Sequence, residues 1–495
     1  MFLSHAIDVT ESLCAENELA IRFRALGGAL RERRPRPRWP TRLISEKNLR
    51  FFRTTILGYV PGFAPAIRPV GPFRAVSLVE QRDLAVERAR VIPRCEGETC
   101  TLEVSLSIRS LLGAPLAAKL ALCGSAGHAE LVIDRPDENG VFTLRGSASA
   151  EGLERWWPHT HGAPALHTPR IELELEHGAG RIELERVGFR TVEPLGVDEG
   201  GFGLRVNGRT IFCRGACWTP LDIASLHSNE VGYRRVLEQV RDAGMNMLRV
   251  PGTTNYESDL FYRACDELGI LVFQDFMFAN SDYPGEDPAF AASVKREAEQ
   301  LLERIGPRPS LAVLCGGSEV EQQAAMMGLP REVWESGPHR SILAEVSAHE
   351  APHVPYVPSS PTGGAMPFHT SEGLCHYYGV GAYLRPVEDA RYHRVRFASE
   401  CLALSNVPEE ASLREWLAEE IAPAHHPRFK ERVPRDPGAG WDFSDVTDHY
   451  VEQLFRVDAR RVRYSDHERY LALSRAASAE VMARVQELFR AKSSG

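Results

Sequence analysis

Apolar and polar positions along this chain follow two rhythms. Over roughly the first 195 residues they alternate at period two in short runs, such as Glu18-Leu-Ala-Ile-Arg-Phe-Arg24, Phe73-Arg-Ala-Val-Ser-Leu78, Thr101-Leu-Glu-Val-Ser-Leu-Ser-Ile108, Ala118-Lys-Leu-Ala-Leu122 and Arg170-Ile-Glu-Leu-Glu-Leu-Glu176. Alternation of this kind marks half-buried antiparallel strands, and two β-sandwiches in series, over 1–80 and 81–195, account for it. Asn207-Gly208 then predicts a tight hairpin turn. Beyond it the rhythm changes: apolar runs of four to six residues alternate with helical patterns near 231–243, 258–268, 287–305 and 340–350. Repeated βα units predict a parallel sheet, and over 196–495 a (β/α)8-type TIM barrel is favoured. Seven barrel strands can be counted; past Glu400 the pattern is helical over Asp445–Phe455 and His467–Ala491.

The carboxylates that end two of these runs carry the candidate chemistry: Ser310-Leu-Ala-Val-Leu-Cys-Gly-Gly-Ser-Glu319 and Val395-Arg-Phe-Ala-Ser-Glu400. Side chains at the C-terminal tips of barrel strands converge on one pocket. Two carboxyl groups about 5 Å apart there can hydrolyse a glycosidic bond with retention, and a wider pair does so with inversion. Small residues before each glutamate leave room for a sugar ring.

Composition narrows the alternatives. A chain of 495 residues with 43% hydrophobic and 25% charged residues is an ordinary multidomain globular protein. A net charge of -9 and the lack of a basic, aromatic-laced stripe argue against nucleic-acid binding. No apolar stretch is long enough for a membrane span and the start lacks a signal-peptide pattern, so a cytoplasmic location is expected. The ten cysteines form no Cys-x-x-Cys pair, and no metal or organic cofactor is expected, since two carboxylates suffice. No glycine-rich phosphate loop follows a strand.

Several long motifs in order resemble the β-mannosidase branch of glycoside hydrolase family 2. They are Val206-Asn-Gly-Arg-Thr-Ile-Phe-Cys-Arg-Gly-Ala-Cys-Trp-Thr-Pro-Leu-Asp222, Asn246-Met-Leu-Arg-Val250, Phe261-Tyr-Arg-Ala-Cys-Asp-Glu-Leu-Gly-Ile-Leu-Val-Phe-Gln-Asp-Phe-Met-Phe278, Pro309-Ser-Leu-Ala-Val-Leu-Cys-Gly-Gly-Ser-Glu319, Phe397-Ala-Ser-Glu400 and Trp156-Trp-Pro-His-Thr-His-Gly162. The resemblance implies a jelly-roll sandwich, an immunoglobulin-like sandwich and a catalytic barrel. It implies a retaining exo-β-glycosidase with Glu319 as general acid/base and Glu400 as nucleophile. Glu319 must then carry a proton to help the aglycone leave, and Glu400 must be ionised, which an adjacent cation would favour.

Arg249 resembles the family's strand-tip arginine, and Asp275 is expected to contact sugar hydroxyls or to orient Arg249. His376 and Tyr378 share one parity of the sixth strand and are expected to face the pocket. Trp218 is expected as a sugar-stacking platform, and Asp222 and Ser318 as further substrate contacts. Ser318 stands where the family has an asparagine, Cys217 where it has another, and Pro251-Gly-Thr-Thr254 where it has Trp-Gly-Gly-Gly. Gly58-Tyr-Val-Pro-Gly-Phe-Ala-Pro65 carries no counterpart of an aspartate that the family brings into the pocket. These departures bear on sugar preference. Against the resemblance, half of the jelly roll and the last barrel strand are missing, so a complementing chain or a homo-oligomer is the expected partner beside an oligosaccharide or glycoconjugate substrate. The alternative reading is a catalytically weak carbohydrate-binding pseudoenzyme or subunit.

Overall fold

The computed structural model describes the chain apart from residues 62, 124–125, 197–199, 418–425, 431–432, 434, 436–438 and 494–495. Eight strands follow one another from Leu84 to Glu183: β1 (Leu84–Glu96), β2 (Thr99–Ser110), β3 (Pro115–Cys123), β4 (Ala126–Glu130), β5 (Val132–Ile133), β6 (Phe142–Glu151), β7 (Arg170–Leu175) and β8 (Gly178–Glu183). They form two antiparallel sheets, β1-β2-β6-β5 and β4-β3-β7-β8. Alternate residues of β2 and β7 are buried. Leu102, Val104, Leu106 and Ile108 from one sheet meet Leu120, Leu122, Ile171 and Leu173 from the other in one core. The period-two pattern thus becomes a sandwich whose outer faces stay polar. Cys95 and Cys100, directly opposite across the β1–β2 hairpin, are joined as a disulfide, a pairing that their spacing alone does not announce.

A second antiparallel unit comprises β9 (Val192–Leu195), β10 (Gly203–Val206) and β11 (Arg209–Ile211). Its hairpin turns at Asn207 and Gly208, both at positive φ (48° and 79°), which is why Asn-Gly suits the site.

From there the chain alternates strand and helix. The parallel strands β12 (Gly215–Cys217), β13 (Met247–Val250), β14 (Leu271–Asp275), β15 (Leu311–Cys315) and β16 (Tyr356–Val357) lie in that order in one sheet. β17 (Leu374–Gly381) and β18 (Phe397–Leu402) form a second parallel pair. β13, β14 and β15 are buried throughout, because helices cover one face and residues such as Trp156, Leu204 and Val206 pack against the other. The helices are α1 (Glu230–Asp242), α2 (Asp259–Leu268), α3 (Pro288–Ile305), α4 (Val320–Met326), α5 (Arg331–Trp334), α6 (Ile342–Glu350), α7 (Glu410–Leu417), α8 (Pro427–Lys430), α9 (Phe443–Phe455), α10 (Ala459–Ser465) and α11 (His467–Ser493). Local chemistry sets several of their ends. Asn229 caps α1 and Asp287 caps α3, with Pro288 at its first turn; Gly269 closes α2 at φ 68°; and Asp442 with Asp445 forms a capping box on α9. Among the described residues no helix is long and apolar enough to cross a membrane.

The first 80 residues depart from expectation. Among those described no strand forms; there are only short 3-10 turns, at Thr10–Ser12, Ala29–Arg31 and Lys47–Phe51. A period-two pattern holds as a strand only when a neighbour completes its ladder and covers one face. Here neither Glu18–Arg24 nor Phe73–Leu78 pairs with a strand, and Leu19 and Leu78 are 76% and 75% exposed. The segment is instead strapped across the strand tips. Leu30, Ile44, Leu49, Ile56, Tyr59 and Val60 pack with Ala279. Arg38 and Arg50 pair with Asp282, and Arg53 pairs with Glu297 at 2.6 Å while lying 3.8 Å from the centre of the Phe278 ring. Gly62, in the departing Gly58–Pro65 segment, lies outside the described residues.

Candidate active site

β15 ends at Cys315, and Gly316-Gly317-Ser318 carries the backbone on to Glu319. A Cβ on Gly317 would sit 2.7 Å from the Phe278 carbonyl oxygen, so only glycine allows this approach. Backbone bonds from Ser318 N to Phe278 O (2.8 Å), Asn280 N to Ser318 O (3.0 Å) and Glu319 N to Ser360 O (2.7 Å) lock the segment between its neighbours. Glu319 itself adopts φ 54°, ψ 19° and stands at the N-cap of α4. A non-glycine residue in that region is uncommon and is held there by its surroundings.

Glu400 lies within β18, directly across from His376 of β17. His376, 5% exposed, stands between the two carboxylates. Its Nδ1 is 3.1 Å from Glu319 Oε1, and its Nε2 is 3.1 Å from Ser360 Oγ and 3.7 Å from Glu400 Oε1. One nitrogen or oxygen from each of Glu319, His376 and Glu400 lies within 4.8 Å of the others. Tyr378, the other residue of that parity, donates its hydroxyl to Glu400 Oε2. Tyr377 points the opposite way, into the helical core beside α11, and donates to Asp389. Ser360 Oγ and Ser399 Oγ, 2.7 Å apart, brace the floor beneath His376.

Arg249, at the tip of β13, donates from Nη1 to Glu400 Oε1 at 2.6 Å and from Nη2 to Asp275 Oδ2 at 2.7 Å. Partial burial by itself would raise the Glu400 carboxyl. The opposing charge of His376 and Arg249 and the bond from Tyr378 outweigh it and hold the group at about 2, well below its ordinary range. Burial likewise pushes up the Tyr378 hydroxyl, with Glu400 adding to the effect, so it remains a donor.

Asp275 takes the second of its two expected roles, orienting Arg249, while two expected substrate contacts, Trp218 and Asp222, are placed differently. Asp275 is fully buried and spends both oxygens on Arg249 and on the Gly252 amide (3.0 Å); it anchors the arginine from behind instead of facing a sugar. Burial raises its carboxyl even against the pull of Arg249. Trp218, 5% exposed, packs on Phe261 and Tyr233 and donates its indole N–H to Glu257 at 2.8 Å, so its ring belongs to the shell between strands and helices. An apolar pocket with one buried acceptor satisfies an indole better than an open rim would. Asp222 is exposed and accepts from the Ala224 amide at 2.7 Å, forming a turn outside the cluster. Ser318 is 2% exposed, one residue before Glu319.

Residues not anticipated from the sequence complete the site. Gln322 donates to Glu319 Oε1 at 2.9 Å and Gln323 to Oε2 at 3.1 Å. Their signal was available, since residues three and four beyond an N-cap reach back over it. Glu321, fully buried, is held by Arg340 and Thr362 and takes no part. The Glu319-His376-Glu400 trio offers ligand atoms for a cation. However, the guanidinium on Glu400 and the two amide donors on Glu319 already fill these carboxylates with hydrogen-bond donors, the reverse of an acceptor-only metal cage.

No family model matches the sequence. Aligned with the β-mannosidase of Rattus norvegicus, the chain is 27% identical over 417 residues, which is 76% of this chain and 47% of that protein. The crystal structure of a β-D-mannosidase from Dictyoglomus thermophilum superposes with a TM-score of 0.71 at 26% identity, covering 82% of this chain and 50% of that one. The exo-chitosanase CsxA of Amycolatopsis orientalis shares the fold with a TM-score of 0.60 at 16% identity, over 81% and 47% of the two chains. This chain therefore spans about half the length of each of these relatives.

Proposed function

We propose that this β-mannosidase-like chain carries the catalytic site of a retaining exo-β-glycosidase that removes a terminal β-linked sugar from an oligosaccharide or glycoconjugate. The observation that carries the reading is the meeting of Glu319, His376 and Glu400 with ligand atoms within 4.8 Å of one another, nearer the short carboxyl spacing of double displacement than the wider spacing of inversion. In the first step the Glu319 proton passes to the glycosidic oxygen while that bond to the anomeric carbon breaks. A Glu400 oxygen forms the new bond to carbon. In the second, Glu319 takes a proton from water, whose oxygen displaces Glu400.

Arg249 and Tyr378 keep Glu400 ionised and aimed, and Asp275 keeps Arg249 in place. The seven parallel strands are read as those of a (β/α) barrel, and the β1–β8 sandwich as immunoglobulin-like. Mannose is the first sugar to try, since both the rat and the Dictyoglomus relatives are named mannosidases.

The test is a panel of aryl β-glycosides (mannoside, glucoside, galactoside, glucosaminide) with wild type, Glu400→Ala and Glu319→Gln. Turnover is expected in wild type and lost by about a thousandfold or more in Glu400→Ala, with the β-anomer as the first product seen by proton NMR. Sugar binding without turnover by wild type would favour a binding subunit; an α-anomer first would overturn retention.

A further inference from the structure

We infer that Gln322 and Gln323 are positioning residues that fix the Glu319 carboxylate for proton transfer. The inference rests on the reading of Glu319 as the acid/base. Glu319 is held at φ 54° immediately before α4, so its side chain rises from a backbone with little freedom to re-aim it. The two amides come from the next turn of the same chain and divide the carboxylate between them, Gln322 on Oε1 and Gln323 on Oε2. Two donors to two oxygens fix the plane of the group as well as its place, whereas one donor would leave it free to swing.

His376 Nδ1 shares Oε1 from the opposite side at 3.1 Å, so the acid/base is gripped between its own helix and β17. The grip is built into the fold: Gln322 is 91% buried, and the flanking Ala324 and Ala325 pack into the core and keep the first turn of α4 in place. The glutamine donors are also neutral. A lysine or arginine at either position would compete with Arg249 for the negative charge of this small site, while an amide orients Glu319 without drawing Glu400 away from Arg249.

A displaced acid matters in proportion to how much the leaving group needs its proton. Phenol and alcohol leaving groups need it; dinitrophenolate departs without it. Rates of kcat/KM for Gln322→Leu, Gln323→Leu and the double variant would therefore be measured on 2,4-dinitrophenyl, 4-nitrophenyl and phenyl β-glycosides of the preferred sugar. The double variant is expected to fall about ten- to a hundredfold on the phenyl glycoside and to stay within about twofold on the dinitrophenyl one. Sodium azide, which needs no general base, is expected to restore the variant's kcat on the dinitrophenyl substrate. A purely structural lesion would depress all three substrates together.

Leaving-group slopes equal to wild type, or equal losses on every substrate, would overturn the inference while leaving the glycosidase reading standing. A wild type that turns over none of the panel would remove both. Gln323→Ala, at the less buried of the two positions, supplies the comparison if the double variant does not fold.

Discussion

At the scale of single residues the site is organised around one ionised carboxylate. Glu400 sits beside His376, Arg249 and Tyr378, and their combined pull holds it at about 2 where burial alone would raise it. Because this folded-state value lies below the ordinary one near 4.5, the group stabilises the fold fully above pH 4.5. That contribution is lost as pH falls toward 2. In the proposed double displacement, Glu400 would therefore stay charged through the range where an ordinary glutamate would protonate. On a 2,4-dinitrophenyl glycoside, which needs no acid, kcat/KM is expected to run level from pH 6 down to about 4 with no inflection near 4.5. Initial rates across that range, with circular dichroism to confirm the fold, check this; an inflection near 4.5 would mean that Arg249 and Tyr378 do not hold Glu400 as described. Buried partners also decide why Asp275 orients Arg249, the second of its two expected roles, and why Trp218 is not a stacking platform. Asp275 and Trp218 are residue types that often touch sugars, but each found a buried partner, Arg249 and Glu257 respectively, and a satisfied buried group gains nothing by facing a ligand.

At the scale of elements the decisive contact is between β17 and β18, which bring His376 and Tyr378 beside Glu400. Gly381 ends β17 at φ 101°, and a Cβ there would stand 1.4 Å from the Leu402 carbonyl oxygen. Alanine at this position meets both a forbidden backbone region and a backbone clash, so Gly381→Ala is expected to cost well over the ~1 kcal/mol of an ordinary glycine replacement. The pair should part enough to abolish turnover. Thermal unfolding and activity measured together test this; a variant with unchanged melting temperature and rate would show the crossing to be unimportant. Elements were also where sequence patterns read most directly. Helix bounds follow caps at Asn229, Asp287 and Asp442, because that signal is local.

At the scale of the whole molecule, the first 80 residues act as a strap over the strand tips, fastened by buried ion pairs. Arg53 and Glu297 are 6% and 2% exposed at their side chains and lie 2.6 Å apart, with Tyr256 donating to the same carboxylate. Removing Arg53 leaves a buried charge without its partner, so Arg53→Ala is expected to cost about 3–5 kcal/mol and to loosen the strap. Trypsin is then expected to cut faster than in wild type at Arg31, Arg33, Arg38 and Arg42, the bonds after Arg34 and Arg36 being closed to it by the prolines that follow. Equal digestion rates would show that the apolar contacts of Leu30, Ile44 and Leu49 suffice. Nothing in the alternation of Glu18–Arg24 or Phe73–Leu78 distinguishes a strand from an extended strap; that depends on whether a neighbouring strand is present to pair with.

Local pattern sufficed for the β1–β8 sandwich strands, the βα rhythm, the helix ends and a glutamate in or just beyond each of two parallel strands, because each depends on residues within a few positions of one another. Packing of distant segments was needed to bring Glu319, His376 and Glu400 together, to set Arg249 on Glu400 with Asp275 behind it, to turn Gln322 and Gln323 back onto Glu319, and to wall in Trp218. Those outcomes depend on which distant segments the packed strands bring within hydrogen-bonding reach, and a side chain's role is set by the partner it meets there.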